Sequence, residues 1–196
     1  MRKIVLFMHT SLDGFVQGKD QWDIGWISYD EDLVKYADEI VEATGSPMYG
    51  RITYEGMKNY WPTVLDNPNS SKHEVEHATW LQNVTKIVIS NSMETTDWVN
   101  TIVINKNVVE EIKKLKEMPG KDLVIFGSPS LSHFLMKHDL IDEFRLTVSP
   151  VVLGDGIPLF KDLKDRIKLN LIESRTYPSG VVILHYETAR VGTTIQ

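Results

Sequence analysis

Leu123-Val124-Ile125-Phe126-Gly127-Ser128-Pro129-Ser130-Leu131 joins a short run of apolar residues to a Gly-Ser-Pro-Ser turn, after which Leu131, Phe134 and Leu135 recur at helical spacing. A continuous apolar run bounded by turn residues suits a strand buried on both faces. Gly127 supplies the turn, and the spacing predicts a helix over Ser130 to Lys137. Strand, glycine and helix in that order imply a parallel neighbour, because parallel strands need a crossover connection.

The same signature recurs on both sides of this unit. Ile4 to Met8, Lys86 to Ile89 and Thr101 to Ile104 read as buried strands, and Pro47-Met48-Tyr49 as a brief one before a turn at Gly50. Asp30 is placed to cap a helix with Leu33, Tyr36, Ala37, Ile40 and Val41 on one face and Gly45 at its end. Ile52 to Tyr60 predicts a second helix stopped by Trp61-Pro62, and Asp66 to Lys72 a polar loop. Asn107 with Glu110 resembles a capping box opening a helix with Val108, Ile112 and Leu115 inward, closed by Pro119-Gly120. Phe144 to Val152 predicts a strand, and Leu169 to Glu187, broken at Pro178-Ser179-Gly180, a closing antiparallel hairpin. The expected fold is one α/β domain over residues 1–188, mostly parallel and flanked by helices, followed by a frayed tail at 189–196.

Composition narrows the partners. The 196 residues are 42% hydrophobic and 24% charged, with a net charge of -6 and no long basic run, so the electrostatic footprint of a nucleic-acid binder is missing. The chain has no cysteine, which excludes disulfides, zinc-thiolate sites and thiol nucleophiles. Ile4 to Met8 is too short for a secretory core, and no stretch reaches membrane-spanning length, so cytoplasm is expected.

Two strand-to-helix turns carry the chemistry that suits a phosphate. In Tyr49-Gly50-Arg51-Ile52-Thr53, glycine permits close backbone approach while Arg51 and Thr53 add a cation and a hydroxyl. In Phe126-Gly127-Ser128-Pro129-Ser130, Ser128 or Ser130 can cap the helix whose amides meet a pyrophosphate. Asp13 and Asp32 are the candidate catalytic carboxylates, each with a plainer alternative as a turn or helix-start residue. Trp22 and Trp26 could line a flat substrate pocket or simply be core. Gly154-Asp155-Gly156 suits a tight turn, with no amphipathic helix after it to offer amides. His73-Glu74-Val75-Glu76-His77 fits a zinc-protease pattern, but its flanks lack an apolar face and no third ligand stands out, so a solvated helical turn is expected.

Ser11-Leu12-Asp13-Gly14-Phe15-Val16, Gly50-Arg51-Ile52-Thr53-Tyr54-Glu55, Phe126-Gly127-Ser128-Pro129-Ser130-Leu131, Leu140-Ile141-Asp142-Glu143 and Pro150-Val151-Val152-Leu153-Gly154-Asp155-Gly156, in this order, resemble the dihydrofolate-reductase-like superfamily. The pattern is most similar to the reductase domain of bacterial riboflavin biosynthesis and its stand-alone relatives, and runs from Arg2 to about Glu187. The resemblance implies an extended NADPH, with Gly50, Arg51 and Thr53 on its phosphate side and Gly127 to Leu131 cradling the pyrophosphate. It implies Ser90 and Asn91 near the adenine ribose, and Met8, His9 and Val16 beside the nicotinamide. The substrate would stack between nicotinamide and the loop carrying Trp22 and Trp26. Gly127-Ser128 departs from the paired glycine of the folate enzymes and leaves less room for the pyrophosphate. Asp32 is a possible counterpart of their first-helix acid, Asp13 matches the riboflavin enzyme's motif, and the deaminase domain usually fused to that enzyme is absent.

The function expected from this likeness is hydride transfer from NADPH to a C=N or equivalent bond of a small heterocycle, with a carboxylate or water supplying the proton. The rivals are the phosphoribosylaminopyrimidine reduction of riboflavin biosynthesis, which calls for a basic cluster, and a nucleotide-binding protein without efficient catalysis. A homodimer is expected, since relatives commonly pair and Pro150 to Phe160 exposes apolar residues.

Overall fold

A computed structural model describes residues 1–189; of the tail read from the sequence at 189–196, residues 190–196 lie outside them. Chain order is β1 (Ile4–Ser11), β2 (Phe15–Gln17), α1 (Glu31–Ala43), β3 (Thr44–Gly50), α2 (Arg51–Leu65), α3 (Lys72–Asn83), β4 (Lys86–Ile89) and β5 (Thr101–Ile104). It continues with α4 (Val108–Glu117), β6 (Asp122–Phe126), α5 (Pro129–Lys137), β7 (Glu143–Ser149), β8 (Ile157–Pro158), β9 (Leu169–Thr176) and β10 (Val182–Thr188).

Eight strands form one sheet in the order β5-β4-β3-β6-β1-β7-β10-β9. Every pair from β5 to β7 is parallel, and β10 runs antiparallel to both β7 and β9. The α/β fold read from the sequence is therefore the fold present, with β2 and β8 forming a separate antiparallel pair. Because side chains alternate across a strand, β1 divides its apolar residues between two cores. Ile4, Leu6 and Met8 join Leu123, Ile125, Leu131 and Leu135, while Phe7 joins Leu33, Tyr36, Ile40 and Val124 beneath α1. Phe7 meets Tyr36 at 5.9 Å and Phe126 at 5.6 Å, both edge-on.

Several local expectations give way to tertiary contacts. Asp30 does cap α1, accepting from Leu33 N at 2.8 Å, but Thr44 ends the helix and Gly45 is already in β3. The second helix does not stop at Trp61-Pro62; it runs to Leu65 with Pro62 inside. Proline removes one helical donor there, yet buried Val64 and the ring of Trp61 against His77 hold the last turn on the protein. Asn107 makes no capping box: it sits left-handed at φ 47°, and its carbonyl accepts from Glu111 N at 2.9 Å. A left-handed Asn is among the cheaper residues in that conformation.

Residues 72–83 form a full helix rather than a loop and a solvated turn. Ser71 and Glu74 make a reciprocal capping box at its start. At its other end buried Lys86 donates to Leu81 O at 2.5 Å and Val84 O at 3.1 Å and stands 4.8 Å over the Trp98 ring. Burial lowers that ammonium to about 8, and the two carbonyls supply the partners a buried cation requires. Among the described residues no helix is long and apolar enough to cross a membrane.

Candidate active site

The parallel run β4-β3-β6-β1 brings the carboxyl ends of four strands side by side, about 4.8 Å apart. Open α/β sheets leave a ligand crevice at such an edge. Here the edge opens into a cavity of about 1000 Å³ and, beside it, a groove of about 190 Å³.

The residues picked from the sequence for a nucleotide divide between these two spaces. Met8, His9, Val16, Thr53, Phe126, Gly127, Ser128 and Pro129 line the large cavity. Gly50, Arg51, Ser90, Asn91 and Leu131 line the groove, and Ser130 belongs to both. Chain connectivity separates these residues by more than a hundred positions; strand order reunites them.

The junction is built on close backbone approach. A Cβ at Gly50 would stand 3.0 Å from Ser128 Oγ and 3.2 Å from Ser130 Oγ, so glycine lets α2 and α5 begin this near to each other without either serine hydroxyl giving way. Gly127 and Ser128 are both left-handed, each at φ 62°. Ser128 caps nothing with its side chain; its hydroxyl accepts from Gly50 N at 2.7 Å. The hydroxymethyl group is thereby turned into the protein, with Ser128 only 2% exposed, which corrects the expectation that it narrows the turn. Pro129 has no amide to offer, while the first-turn amides of Ser130 and Leu131 lack helical acceptors, as do those of Ile52 and Thr53 in α2. Two helix N-termini thus present donors and positive dipole ends across one gap.

Both carboxylates proposed as catalytic lie outside the cavity lining. Asp13 accepts from Leu153 N at 3.1 Å, Gly154 N at 2.8 Å and Ser11 Oγ at 2.6 Å. These hydrogen bonds, the Ser11 one foremost, hold its carboxyl down at about 2. It ties the turn after β1 to the turn at Gly154, and it carries no proton to give near neutrality. Asp32 lies beside Lys35 at 3.9 Å on the outer part of α1, while that helix faces the cavity with Val34 and Ala37. The two tryptophans also separate. Trp22 lines the cavity; Trp26 does not, and its Nε1 donates to Asp23 O at 3.0 Å within the loop.

Sequence reasoning missed most of the opposite wall. Tyr29 shares a 3.0 Å hydrogen bond with His9 Nε2, and Thr147 Oγ1 one of 2.6 Å with His9 Nδ1. Burial lowers His9 to about 4, so the ring is neutral at pH 7 with both nitrogens occupied. His73, Glu74 and His77 of α3 also line the cavity, which corrects the reading of this motif as solvated. His73 Nδ1 stands 3.0 Å from Asp38 Oδ1, and the two imidazoles are 6.3 Å apart. Among the described residues no group of three His, Cys, Asp or Glu is arranged to hold a metal ion. The signal available in advance was Ser71-Lys72-His73-Glu74, a capping box that starts a helix with His73 and His77 on one face.

Comparison with known proteins agrees with this architecture. The chain is 36% identical over 187 residues to the Bacillus subtilis (strain 168) uncharacterized protein YyaP, covering 94% of each. A putative riboflavin biosynthesis protein from Shewanella sp. PV-4 superposes with a TM-score of 0.73 at 23% identity, over 96% of this chain and 99% of that one. The dihydrofolate reductase of Enterococcus faecalis, solved with NADP(H), shares the fold with a TM-score of 0.61 at 15% identity, over 96% and 97% of the two chains. The model of the RibD C-terminal domain matches residues 2–183, and the chain belongs to that family.

Proposed function

We propose that this chain is an NADPH-dependent reductase that transfers a hydride to a small nitrogen heterocycle. The observation that carries the reading is the pair of helix N-termini meeting at Gly50 and Ser128, with the groove of Arg51, Ser90 and Asn91 on one side and the large cavity on the other. Donors and positive dipole ends suit a pyrophosphate at the junction. Arg51 then stands where an adenosine 2′-phosphate would lie, and Met8, His9 and Val16 where the nicotinamide would. NADP(H) in the Enterococcus dihydrofolate reductase and the family membership support the same reading.

NADPH supplies the hydride when bound. The protein's part is to orient both rings, with His9 locked between Thr147 and Tyr29 as a rigid neutral wall. Neither Asp13 nor Asp32 faces the reacting space, so the proton that completes reduction of a C=N bond comes from water. The test is NADPH oxidation followed at its absorbance maximum against a panel of oxidised heterocycles, beside a tryptophan-fluorescence titration of NADPH. Saturable binding with heterocycle-dependent oxidation is expected. Binding without oxidation across the panel would favour a nucleotide-binding protein, and a flat titration to millimolar NADPH would end the cofactor assignment.

A further inference from the structure

The α3 side of the cavity carries chemistry that the cofactor residues leave unused. His77 lines the cavity with its ring centroid 4.3 Å from Trp61, 5.3 Å from Trp80 and 5.9 Å from Phe126. Burial among these rings, with a smaller contribution from His73, lowers its pKa to about 4. A neutral imidazole has one donor and one acceptor nitrogen, and neither has a hydrogen-bond partner among the described residues. Three other polar lining residues are engaged elsewhere: Tyr60 donates to Glu74 at 3.2 Å, Glu74 accepts from Ser71 N at 2.8 Å, and His133 contacts Pro158 O at 2.9 Å.

Trp22 closes over α2 at Gly56. A Cβ there would stand 2.4 Å from Trp22 Cζ2 and 2.5 Å from Cη2, so the helix carries a glycine where the indole rests on it, despite glycine's poor helix propensity. Charge in this region is set against anions. Among the described lining residues there is no arginine and one lysine, Lys161, which follows β8 rather than α3. The N-terminus of α3, which would otherwise attract an anion, is already occupied by the Glu74 carboxylate of its capping box.

We propose that this side of the cavity receives an uncharged, planar heteroaromatic ring without phosphate, stacked on Trp22 and Trp61 and hydrogen-bonded to the imidazole of His77. The proposal rests on the reductase reading in that this ring would be the hydride acceptor. It separates the protein from a reductase of phosphoribosylated pyrimidines, whose substrate brings a dianionic phosphate that needs cationic partners.

Two probes with the same dione edge test it: quinazoline-2,4-dione, which is neutral, and uridine 5′-monophosphate, which carries the phosphate. Both are titrated by calorimetry into wild type, His77→Phe and Gly56→Ala, each with and without saturating NADPH. The dione should bind wild type at least about ten-fold more tightly than the nucleotide, and His77→Phe should weaken it about ten-fold, the effect of one buried hydrogen bond. Gly56→Ala, a favourable change for helix stability, should weaken it comparably by displacing Trp22. Tighter binding of the nucleotide, no saturable dione binding to wild type, or equal dione affinity in all three proteins overturns the slot. Loss of NADPH binding with dione binding intact would instead strike the reductase reading alone.

Discussion

The turn at Gly127 and the helix at His77 face the same cavity but are built on opposite principles. The Gly127 turn works through backbone: two left-handed residues, a glycine contact at Gly50, and amides at two helix starts. The His77 wall works through side chains: rings packed at 4.3 to 5.9 Å around an imidazole with no hydrogen-bond partner among the described residues. A backbone cradle suits the constant part of a cofactor, because amides recognise phosphate whatever side chains surround them. A side-chain wall can be exchanged residue by residue, which is why the proposal puts substrate choice there.

The largest effect should come from breaking the cradle. Gly127→Val puts a β-branched residue at φ 62°, a conformation that costs about 1–2 kcal/mol and that the turn can relieve only by re-aiming its amides. Losing two amide bonds to a charged phosphate should weaken NADPH by about a hundred-fold or more. Binding of quinazoline-2,4-dione to the same variant without cofactor should survive. Joint loss, with circular dichroism unchanged, would mean that the two regions are one site.

Next comes Arg51→Ala. The guanidinium is paired with Glu55 at 3.0 Å and otherwise faces the groove, where a 2′-phosphate would take charge-assisted bonds that NADH cannot offer. NADPH affinity should fall about ten- to a hundred-fold, an estimate of roughly 1.5 to 3 kcal/mol, with NADH hardly changed. Equal weakening of both in paired titrations would move Arg51 to the shared pyrophosphate, and no weakening of either would remove it from the site.

A smaller, pH-dependent effect distinguishes the side-chain wall. His9 and His77 are both held at about 4 in the folded protein, below the ordinary value near 6.5. As pH falls below about 6.5 the unfolded chain takes up protons that the folded one refuses, so their contribution to stability is complete above that pH and is lost progressively towards 4. Urea unfolding of wild type between pH 6.5 and 5 should show this acid loss, and His77→Phe should remove about half of what His9 and His77 contribute together. An unchanged slope in the variant would mean that His77 takes up its proton alike in the folded and unfolded chain, as an imidazole open to water does.

Self-association should leave either region almost untouched. Val152 and Phe160, 65% and 48% exposed, lie on the segment after β7, and we propose that they contribute to a homodimer. Light scattering should give twice the chain mass for wild type and a shift towards monomer for Val152→Asp, with NADPH affinity within about two-fold. Monomer mass for wild type at every concentration would withdraw the dimer.

Periodicity and punctuation were enough for the parallel sheet and both strand-to-helix turns, because apolar runs and glycines act locally. The run Leu123 to Phe126 needs burial wherever it lies, and Gly127 permits a left-handed turn before any contact forms. That Asp13 and Asp32 lie outside the cavity lining was not legible, for the complementary reason. A carboxylate has no role until its partners are known, and two of those of Asp13 lie about 140 residues away at Leu153 and Gly154. Pro62 and His73 to His77 show the same limit. A proline stop is overridden once Val64 and Trp61 are buried against neighbours, and a capped polar segment becomes a cavity wall once α2 and the sheet cover its histidine face. Local propensity is a matter of about 1 kcal/mol per residue, whereas burying one large side chain is worth roughly 1.5 to 3. Strands and turns, whose preferences agree with their burial, are therefore legible in the chain itself; Trp22 over Gly56 and the neutral imidazole of His77 exist only after packing has set their surroundings.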